Sequence, residues 1–116
     1  MSPGQIVAVD WRDARPSTGE PNKRRPGVIV GSPRFFGDNL PFEIVVPLTG
    51  KAELAVGGAS FLIQPTAENG CTKACFALAW NVQTVPHARL TPTSSRVTDE
   101  QLLQIRAQLI DCIDMR

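Results

Sequence analysis

The sequence predicts a mainly β fold, a small barrel or sandwich, with one α-helix at its C-terminus. Short apolar runs alternate with turn residues along most of the chain, a spacing typical of small all-β domains. Nine Gly and ten Pro among 116 residues favour loops and strands over a helix bundle. Because a chain of this length supports one modest core, we expect a single domain spanning residues 1–116.

The strands are predicted from β-rich stretches bounded by polar turns. The first is expected at residues 5–11, where apolar and polar side chains partly alternate. A short buried strand is expected at 28–30, since Pro26 can occupy only the start or the edge of a strand. The remaining β segments are predicted at 42–48, 51–58, 60–64, 74–85 and 87–90. Their spacing indicates a small barrel or sandwich.

The C-terminal helix has the clearest sequence pattern. Residues 98–101 read TDEQ, which is a capping box with Thr98 as the cap, acidic residues in the first turn and Gln101 at the third helical position. Apolar residues then recur on one helical face, at Leu102, Ile105, Leu109 and Ile113. We expect Leu103 and Ile110 to widen this face, and the helix to pack against the sheet.

A polar loop at residues 12–26 carries the densest positive charge of the chain. Five basic residues stand there against two acidic ones, an excess of +3 in a chain whose net charge is +1. They are Arg12, Arg15, Lys23, Arg24 and Arg25 against Asp13 and Glu20. Any binding of nucleic acid must therefore come from a local patch, because the net charge of the whole chain is too small to attract it.

The three cysteines and the single histidine do not predict a metal site or a disulfide framework. Cys71 and Cys75 are spaced C-x3-C without a second pair, and a zinc ion there would lack ligands even with His87. We expect small buried thiols in a reducing compartment, and no metal or other cofactor.

The N-terminus lacks a signal-peptide pattern and no apolar run is long enough to span a membrane, which predicts a cytoplasmic protein.

Two segments join an apolar strand to a polar side chain at its end. Arg25 lies just before the strand at 28–30, and Thr49 follows the strand at 42–48. If the two strands are neighbours, a guanidinium and a hydroxyl point into one groove. Such a pair is suited to holding a phosphate group.

In order, the chain reads GQIVAVD, a polar loop, RPGVIV, VVPLT and a helix beginning TDEQLLQI. Over nearly its whole length this order resembles the MazF/PemK family of toxin ribonucleases, the mRNA interferases. Glu20 stands five residues before Arg25, as the loop acid does in that family, and residues 47–49 match its P-x-T motif. Gln83 and Thr84 fall where the family often has a basic residue followed by Ser or Thr.

The resemblance implies a small, strongly twisted, SH3-like β-barrel with a C-terminal helix, usually a homodimer. It implies the toxin of a type II toxin–antitoxin system that cuts single-stranded RNA, above all mRNA, without a metal. The products would be a 2′,3′-cyclic phosphate and a 5′-hydroxyl. The implied partner is a cognate antitoxin whose acidic segment covers the RNA groove, and no membrane is involved.

The resemblance also implies roles for individual residues. Such a site must accept a proton from the attacking 2′-hydroxyl, stabilise charge on the phosphate and donate a proton to the leaving oxygen. Arg25 suits charge stabilisation because its guanidinium stays ionised and binds phosphate with two hydrogen bonds. Thr49 would donate to a non-bridging oxygen, and Glu20 is the candidate base. The candidate RNA-binding residues are Lys23, Arg24, Gln83 and Thr84.

Departures from the family pattern leave RNA specificity open. Trp80 and Gln83 stand where many members have an acidic and a basic residue. His87 is expected to be structural, and Phe35 with Phe36 to pack in the core or in a dimer interface. Thr49 has a second interpretation as the cap of a turn at Gly50.

Two other functions remain open from the sequence. A CcdB-like DNA gyrase poison has the same barrel, binds a protein target and needs no Arg–Thr pair. A non-catalytic SH3-like binding module is the third possibility. An intact pair of Arg25 and Thr49 favours the ribonuclease.

Overall fold

The computed structural model describes residues 1–11 and 24–114. Its strands are β1 Gln5–Asp10, β2 Arg24–Ile29, β3 Phe42–Thr49, β4 Phe61–Ile63, β5 Cys75–Ala77, β6 Gln83–Pro86 and β7 Leu90–Arg96, and its α-helix is α1 Asp99–Cys112. The predicted class, mainly β with a C-terminal helix, is confirmed. Within these ranges no helix is long and apolar enough to cross a membrane.

The strands form one antiparallel, twisted sheet that resembles a barrel without closing. The order is β4-β5-β3-β2-β1-β7, and β6 pairs with β3 beside this path. One edge of β3 pairs with β6 through Val45 and then with β5 from Leu48 onward. Pro47, which has no N–H to donate, lies between these two ladders. This change of partner places the end of β3 beside β5 rather than β6.

Buried side chains form two clusters. The first contains Ile6, Val28, Val30, Val46, Leu48, Ile63, Ala77 and Val97, together with Leu102 and Ile105 of α1. The second contains Val7, Val9, Ile29, Val45, Val85 and Leu90. Successive residues of β2 and β3 alternate between the clusters, as the period of a strand requires. Each fully buried Val or Ile contributes about 1.5–3 kcal/mol relative to an exposed one.

The helix begins as predicted but buries a narrower face. Thr98 Oγ1 accepts from the Gln101 N–H at 3.0 Å, and Gln101 Oε1 accepts from the Thr98 N–H at 2.9 Å, so the capping box is confirmed. Leu103 and Ile110 are 65% and 66% exposed, so they do not widen the buried face. Each lies about 100° around the helix from a core-facing neighbour. Ile113 is also exposed, because it follows the last helical residue.

Two predicted β segments are interrupted by short 3₁₀ turns. Residues 51–58 contain the turn Ala52–Leu54, so the strand predicted there is wrong. The extended segment predicted at 74–85 is split into β5 and β6 by the turn Ala79–Asn81. In both turns backbone N–H groups donate to carbonyls three residues earlier, at 2.9 to 3.2 Å. These local bonds satisfy the backbone without a neighbouring strand.

The last strand, β7, lies further along the chain than predicted. The expected strand at 87–90 is a 3₁₀ turn, His87–Arg89, and β7 begins at its end. β7 is at an edge of the sheet, and most of its residues are exposed. Its polar sequence lacks the alternation that predicts a strand, and the edge position tolerates Pro92.

The loop between β2 and β3 exposes aromatic surface. Phe35 is 60% exposed and lies 5.2 Å from the Arg34 guanidinium carbon, measured to the ring centroid. Phe36 is half-buried against Gly31, where a Cβ atom would lie 3.0 Å from the ring. Phe35 is therefore not a core residue.

Candidate active site

The pairing of β2 with β3 brings Arg25 and Thr49 to the same end of the sheet. Gly27 pairs with Pro47 in this antiparallel ladder. The ladder ends there, two residues before Thr49 on β3 and two residues after Arg25 on β2, and both side chains line the same two cavities. Gly27 makes the close strand approach possible, because a Cβ there would lie 2.4 Å from Cγ1 of Val45.

A first cavity of about 350 Å³ is lined in part by this pair. Its polar lining consists of Arg25, Thr49, Asn81, Gln83, Thr84 and Arg89. Trp11, packed at the margin of the second core cluster, adds an aromatic face. The Gln83 amide donates to Asn81 Oδ1 at 3.4 Å. This cavity combines amide groups with an aromatic ring, as a site for a nucleobase requires.

A second cavity of about 670 Å³ also contacts this pair. It is lined by the cationic residues Arg24, Arg25, Lys51 and Lys73. Hydroxyl groups of Thr49, Thr93 and Ser95 also line it, and no carboxylate stands among its described lining residues. Arg25, Leu48 and Thr49 line both cavities, so the pair lies at their boundary. A concentration of cations and hydroxyls is suited to binding an anion.

The Thr49 hydroxyl has a structural contact and a remaining donor. Its oxygen accepts the backbone N–H of Lys51 at 3.1 Å, which is the turn-capping contact expected from the sequence. A hydroxyl accepts and donates at the same time, so its hydrogen can still point to a ligand. The two interpretations of Thr49 are compatible.

Lys73 reaches the site from the loop that precedes β5. A Cβ atom on Gly50 would lie 3.4 Å from Cε and 3.7 Å from Nζ of Lys73. Its ammonium group is therefore beside the residue that follows Thr49. Phe76 of β5 pairs with Thr49 of β3, and this ladder fixes the approach of the loop.

Five of the seven residues predicted for the site line these cavities. Arg24 lines the second cavity, where its Nη1 donates to Thr91 Oγ1 at 2.9 Å. Gln83 and Thr84 line the first cavity, and Arg25 and Thr49 line both. The other two, Glu20 and Lys23, lie outside the described residues.

Several lining residues were not predicted. Asn81 and Arg89 come from 3₁₀ turns, and Lys73 from a loop. Only Lys51 had a local signal, since it follows the P-x-T motif by two residues. Trp80 lies outside the lining of both cavities, and its indole N–H donates to the Leu54 carbonyl at 3.0 Å.

His87 lies away from both cavities. Its Nε2 is 2.8 Å from Oε2 of Glu43, which is only 4% exposed. Glu43 stands near the opposite end of β3 from Thr49. The imidazole gives a buried carboxylate its partner, a structural role that offsets the cost of burying a charge.

The chain matches the family model of PemK-like, MazF-like toxins of type II toxin–antitoxin systems over residues 2–113. It belongs to this family. No curated protein matches the chain significantly.

Solved structures of toxins have the same fold. A mycobacterial endoribonuclease in complex with its cognate antitoxin is 17% identical with a TM-score of 0.73, over 100% of this chain and 97% of that chain. MazF from Deinococcus radiodurans is 16% identical with a TM-score of 0.74, over 99% and 97%. The Mycobacterium tuberculosis toxin MazF-mt6 is 18% identical with a TM-score of 0.70, over 97% and 98%.

Proposed function

We propose that the protein is an endoribonuclease toxin that cleaves single-stranded RNA at Arg25 and Thr49. The observation that carries this proposal is the position of the two residues. Both line a cavity suited to a base and a neighbouring cationic cavity, so they lie where the two cavities meet. A scissile phosphate at that boundary would have a nucleotide on each side. Membership of the toxin family supports the same function.

The proposed reaction uses the RNA's own 2′-hydroxyl as the nucleophile. Its oxygen attacks the adjacent phosphorus, the bond to the 5′-oxygen breaks, and a 2′,3′-cyclic phosphate forms. Arg25 would stabilise the additional negative charge with a pair of hydrogen bonds, and Thr49 would donate to a non-bridging oxygen. Because the nucleophile is in the substrate and the charge is met by a guanidinium, we propose a metal-independent reaction. Glu20 remains the proposed base.

The two cavities suggest how a strand would lie across the site. In the first, Trp11 offers a stacking face and the amides of Asn81 and Gln83 offer donors and acceptors for a base edge. In the second, Arg24, Lys51 and Lys73 would bind backbone phosphates. Lys23 and Thr84 remain proposed RNA-binding residues as well.

The partners and location follow as parts of this proposal. A cognate antitoxin with an acidic segment would fit the cationic cavity, and a similar toxin was solved with its cognate antitoxin. We propose a homodimer because Phe35, Leu40 and Phe42 expose an apolar surface near one another in the chain. The proposed location is the cytoplasm, where the RNA substrate is found.

Analysis of RNA ends tests the proposal. Purified protein is incubated with a single-stranded RNA in the presence of EDTA, and the ends of the fragments are determined. We expect discrete cuts that leave 2′,3′-cyclic phosphates and 5′-hydroxyls. Arg34→Ala, a change of an exposed arginine outside both cavity linings, is the matched control and should cut like the wild type.

Induction in cells separates the rival functions. Intact RNA accompanied by double-stranded DNA breaks would indicate a gyrase poison. Intact RNA and intact DNA would indicate a binding module without catalytic activity. Either result would contradict the ribonuclease.

A further inference from the structure

Cys71 and Cys75 form a thiol pair on the wall of the second cavity. Their Sγ atoms are 3.7 Å apart and both residues are half-buried. A disulfide needs the sulfurs at about 2.05 Å, so a small approach is sufficient. The third cysteine, Cys112, is exposed at the end of α1, so the expectation of buried thiols is wrong for it.

The fold holds both cysteines in place. Asn69 is buried, and its Oδ1 accepts the N–H groups of Thr66 at 3.0 Å and Cys71 at 2.9 Å. The same side chain donates to the Gln64 carbonyl at 2.8 Å, which fixes the turn before Cys71. Cys75 is the first residue of β5 and pairs with Ile63 of β4. The short distance between the sulfurs is therefore set by an ordered turn and a strand.

The two thiols differ in reactivity. Burial, and then the neighbouring Cys71, raise the pKa of Cys75 to about 12, so it stays protonated. Cys71 is therefore the thiol suited to attack first. Lys73, Lys51 and Arg24 line the same cavity, and their positive charges attract anionic reagents.

We propose that Cys71 and Cys75 are a modification site at which a small anionic disulfide, such as oxidised glutathione, forms an intramolecular disulfide. The Cys71 thiolate attacks one sulfur of the reagent, whose S–S bond breaks and releases one thiol. The Cys75 sulfur then attacks the Cys71 sulfur of the mixed disulfide, the mixed S–S bond breaks, and the Cys75 proton passes to the departing sulfur, which leaves as the second thiol. The two protein thiols lose two electrons together, and the reagent disulfide gains them.

The disulfide would act on the site through Lys73. Lys73 lies inside the ring that the bond closes, and its Nζ is near Gly50. Drawing Cys71 toward Cys75 would change the backbone that carries Lys73, and with it the position of the ammonium group beside Gly50. We infer that oxidation weakens binding of a phosphate in the second cavity. This consequence rests on the proposed RNA function, whereas formation of the disulfide does not.

Thiol mapping tests the modification. Cys112→Ser protein, which keeps only the pair, is equilibrated with reduced and oxidised glutathione and digested under acid. We expect one disulfide that joins Cys71 to Cys75, and no free thiol at oxidising ratios. The matched variants Cys71→Ser/Cys112→Ser and Cys75→Ser/Cys112→Ser should stop at a mixed disulfide or a free thiol. Two free thiols in the Cys112→Ser protein at every ratio would overturn the proposal.

Binding of an uncleavable probe tests the consequence. The oxidised and reduced Cys112→Ser proteins are titrated with a 2′-O-methyl RNA oligonucleotide at several salt concentrations. Oxidation should weaken binding by up to about fivefold and lower the salt slope by about 0.7, the share of one phosphate contact. Equal affinities would overturn the link to Lys73. Binding by neither form would contradict the RNA function and that link, while the disulfide is judged by thiol mapping alone.

Discussion

Thr49 shows how one side chain can support both the local structure and the proposed chemistry. Its oxygen holds the N–H of Lys51, and its position at the boundary of two cavities leaves the hydrogen available to a substrate. The proposed role in cleavage would use the hydroxyl as a donor, whereas the turn uses its oxygen as an acceptor.

Replacing Thr49 by Val keeps the shape and removes the hydroxyl, both as the proposed donor to substrate and as the acceptor of the Lys51 N–H. We expect the rate constant for RNA cleavage to fall by about 10²-fold, as for loss of one donor to a developing negative charge, with RNA affinity nearly unchanged. Single-turnover cleavage and titration with uncleavable RNA measure the two quantities. Thr49→Ser should retain most of the activity, and an unchanged rate for Thr49→Val would show that Thr49 is only structural.

Lys73 is proposed to contribute to RNA binding rather than to the chemical step. Its charge lies beside Gly50 and not at Arg25 and Thr49 themselves. Lys73→Gln should weaken RNA binding and lower the salt slope by about 0.7, while the rate at saturating protein changes little. Titration at several salt concentrations tests this. Arg34→Gln, outside both cavity linings, is the control. If RNA affinity depended on salt equally in Lys73→Gln and the wild type, Lys73 would not contact an RNA phosphate.

At the scale of elements, the close approach of β2 and β3 determines the spacing of the proposed pair. Gly27 permits this approach, since a Cβ atom there would overlap Val45 at 2.4 Å and lie 3.3 Å from the Val46 carbonyl oxygen. The position is two residues from Arg25 on the same strand. A change in strand spacing should therefore affect stability and cleavage together.

Gly27→Ala should lower the free energy of unfolding by about 1–3 kcal/mol, because the core cannot accept the added carbon without shifting. It should also reduce RNA cleavage, since Arg25 moves relative to Thr49. Urea denaturation and a cleavage assay on folded protein measure these effects. Gly57→Ala, where nothing lies within 4 Å of the added carbon, is the matched control and should be close to neutral. Wild-type stability in Gly27→Ala would contradict the packing described.

The start of α1 offers a stability test that should leave the site intact. Thr98→Ala removes both the cap acceptor and the reciprocal capping box, at a cost of about 1 kcal/mol. In a chain of 116 residues this corresponds to a fall in Tm of several degrees. Thermal unfolding followed by circular dichroism checks it, with Thr98→Ser as the conservative control. Cleavage per folded molecule should be unchanged, and a lower value would link the helix to the site.

At the scale of the whole molecule, the predictable parts are those with local signals. The capping box, the first and third strands and the candidate pair are readable from short stretches. The second strand is expected at 28–30, but β2 runs from Arg24 to Ile29 and contains Pro26. Pro26 is tolerated there because β2 pairs with β3 only from Gly27 onward. The bounds predicted for the last strand are wrong because a strand at the edge of a sheet need not alternate apolar and polar residues. Leu103 is predicted to be buried because the spacing of apolar residues on a helix does not show how wide the buried face is. Lys73 and Asn81 enter the site through the packing of loops and turns, which no local pattern encodes.

The electrostatics of the molecule are also local rather than global. The chain has a net charge of +1, yet four cationic side chains line the second cavity. Binding of RNA there should depend strongly on salt although the protein as a whole is nearly neutral. The same arrangement would let an acidic antitoxin segment compete with RNA for one surface.

The most direct test of catalysis at Arg25 is the single-turnover rate of RNA cleavage by Arg25→Ala at saturating protein. Saturation separates the chemical step from weaker binding, and circular dichroism verifies that the variant is folded. We predict a fall of at least about 10²-fold, because the charge on the phosphate loses its guanidinium partner. Arg34→Ala should cleave at the wild-type rate. Cleavage by folded Arg25→Ala at the wild-type rate would contradict an active site at Arg25.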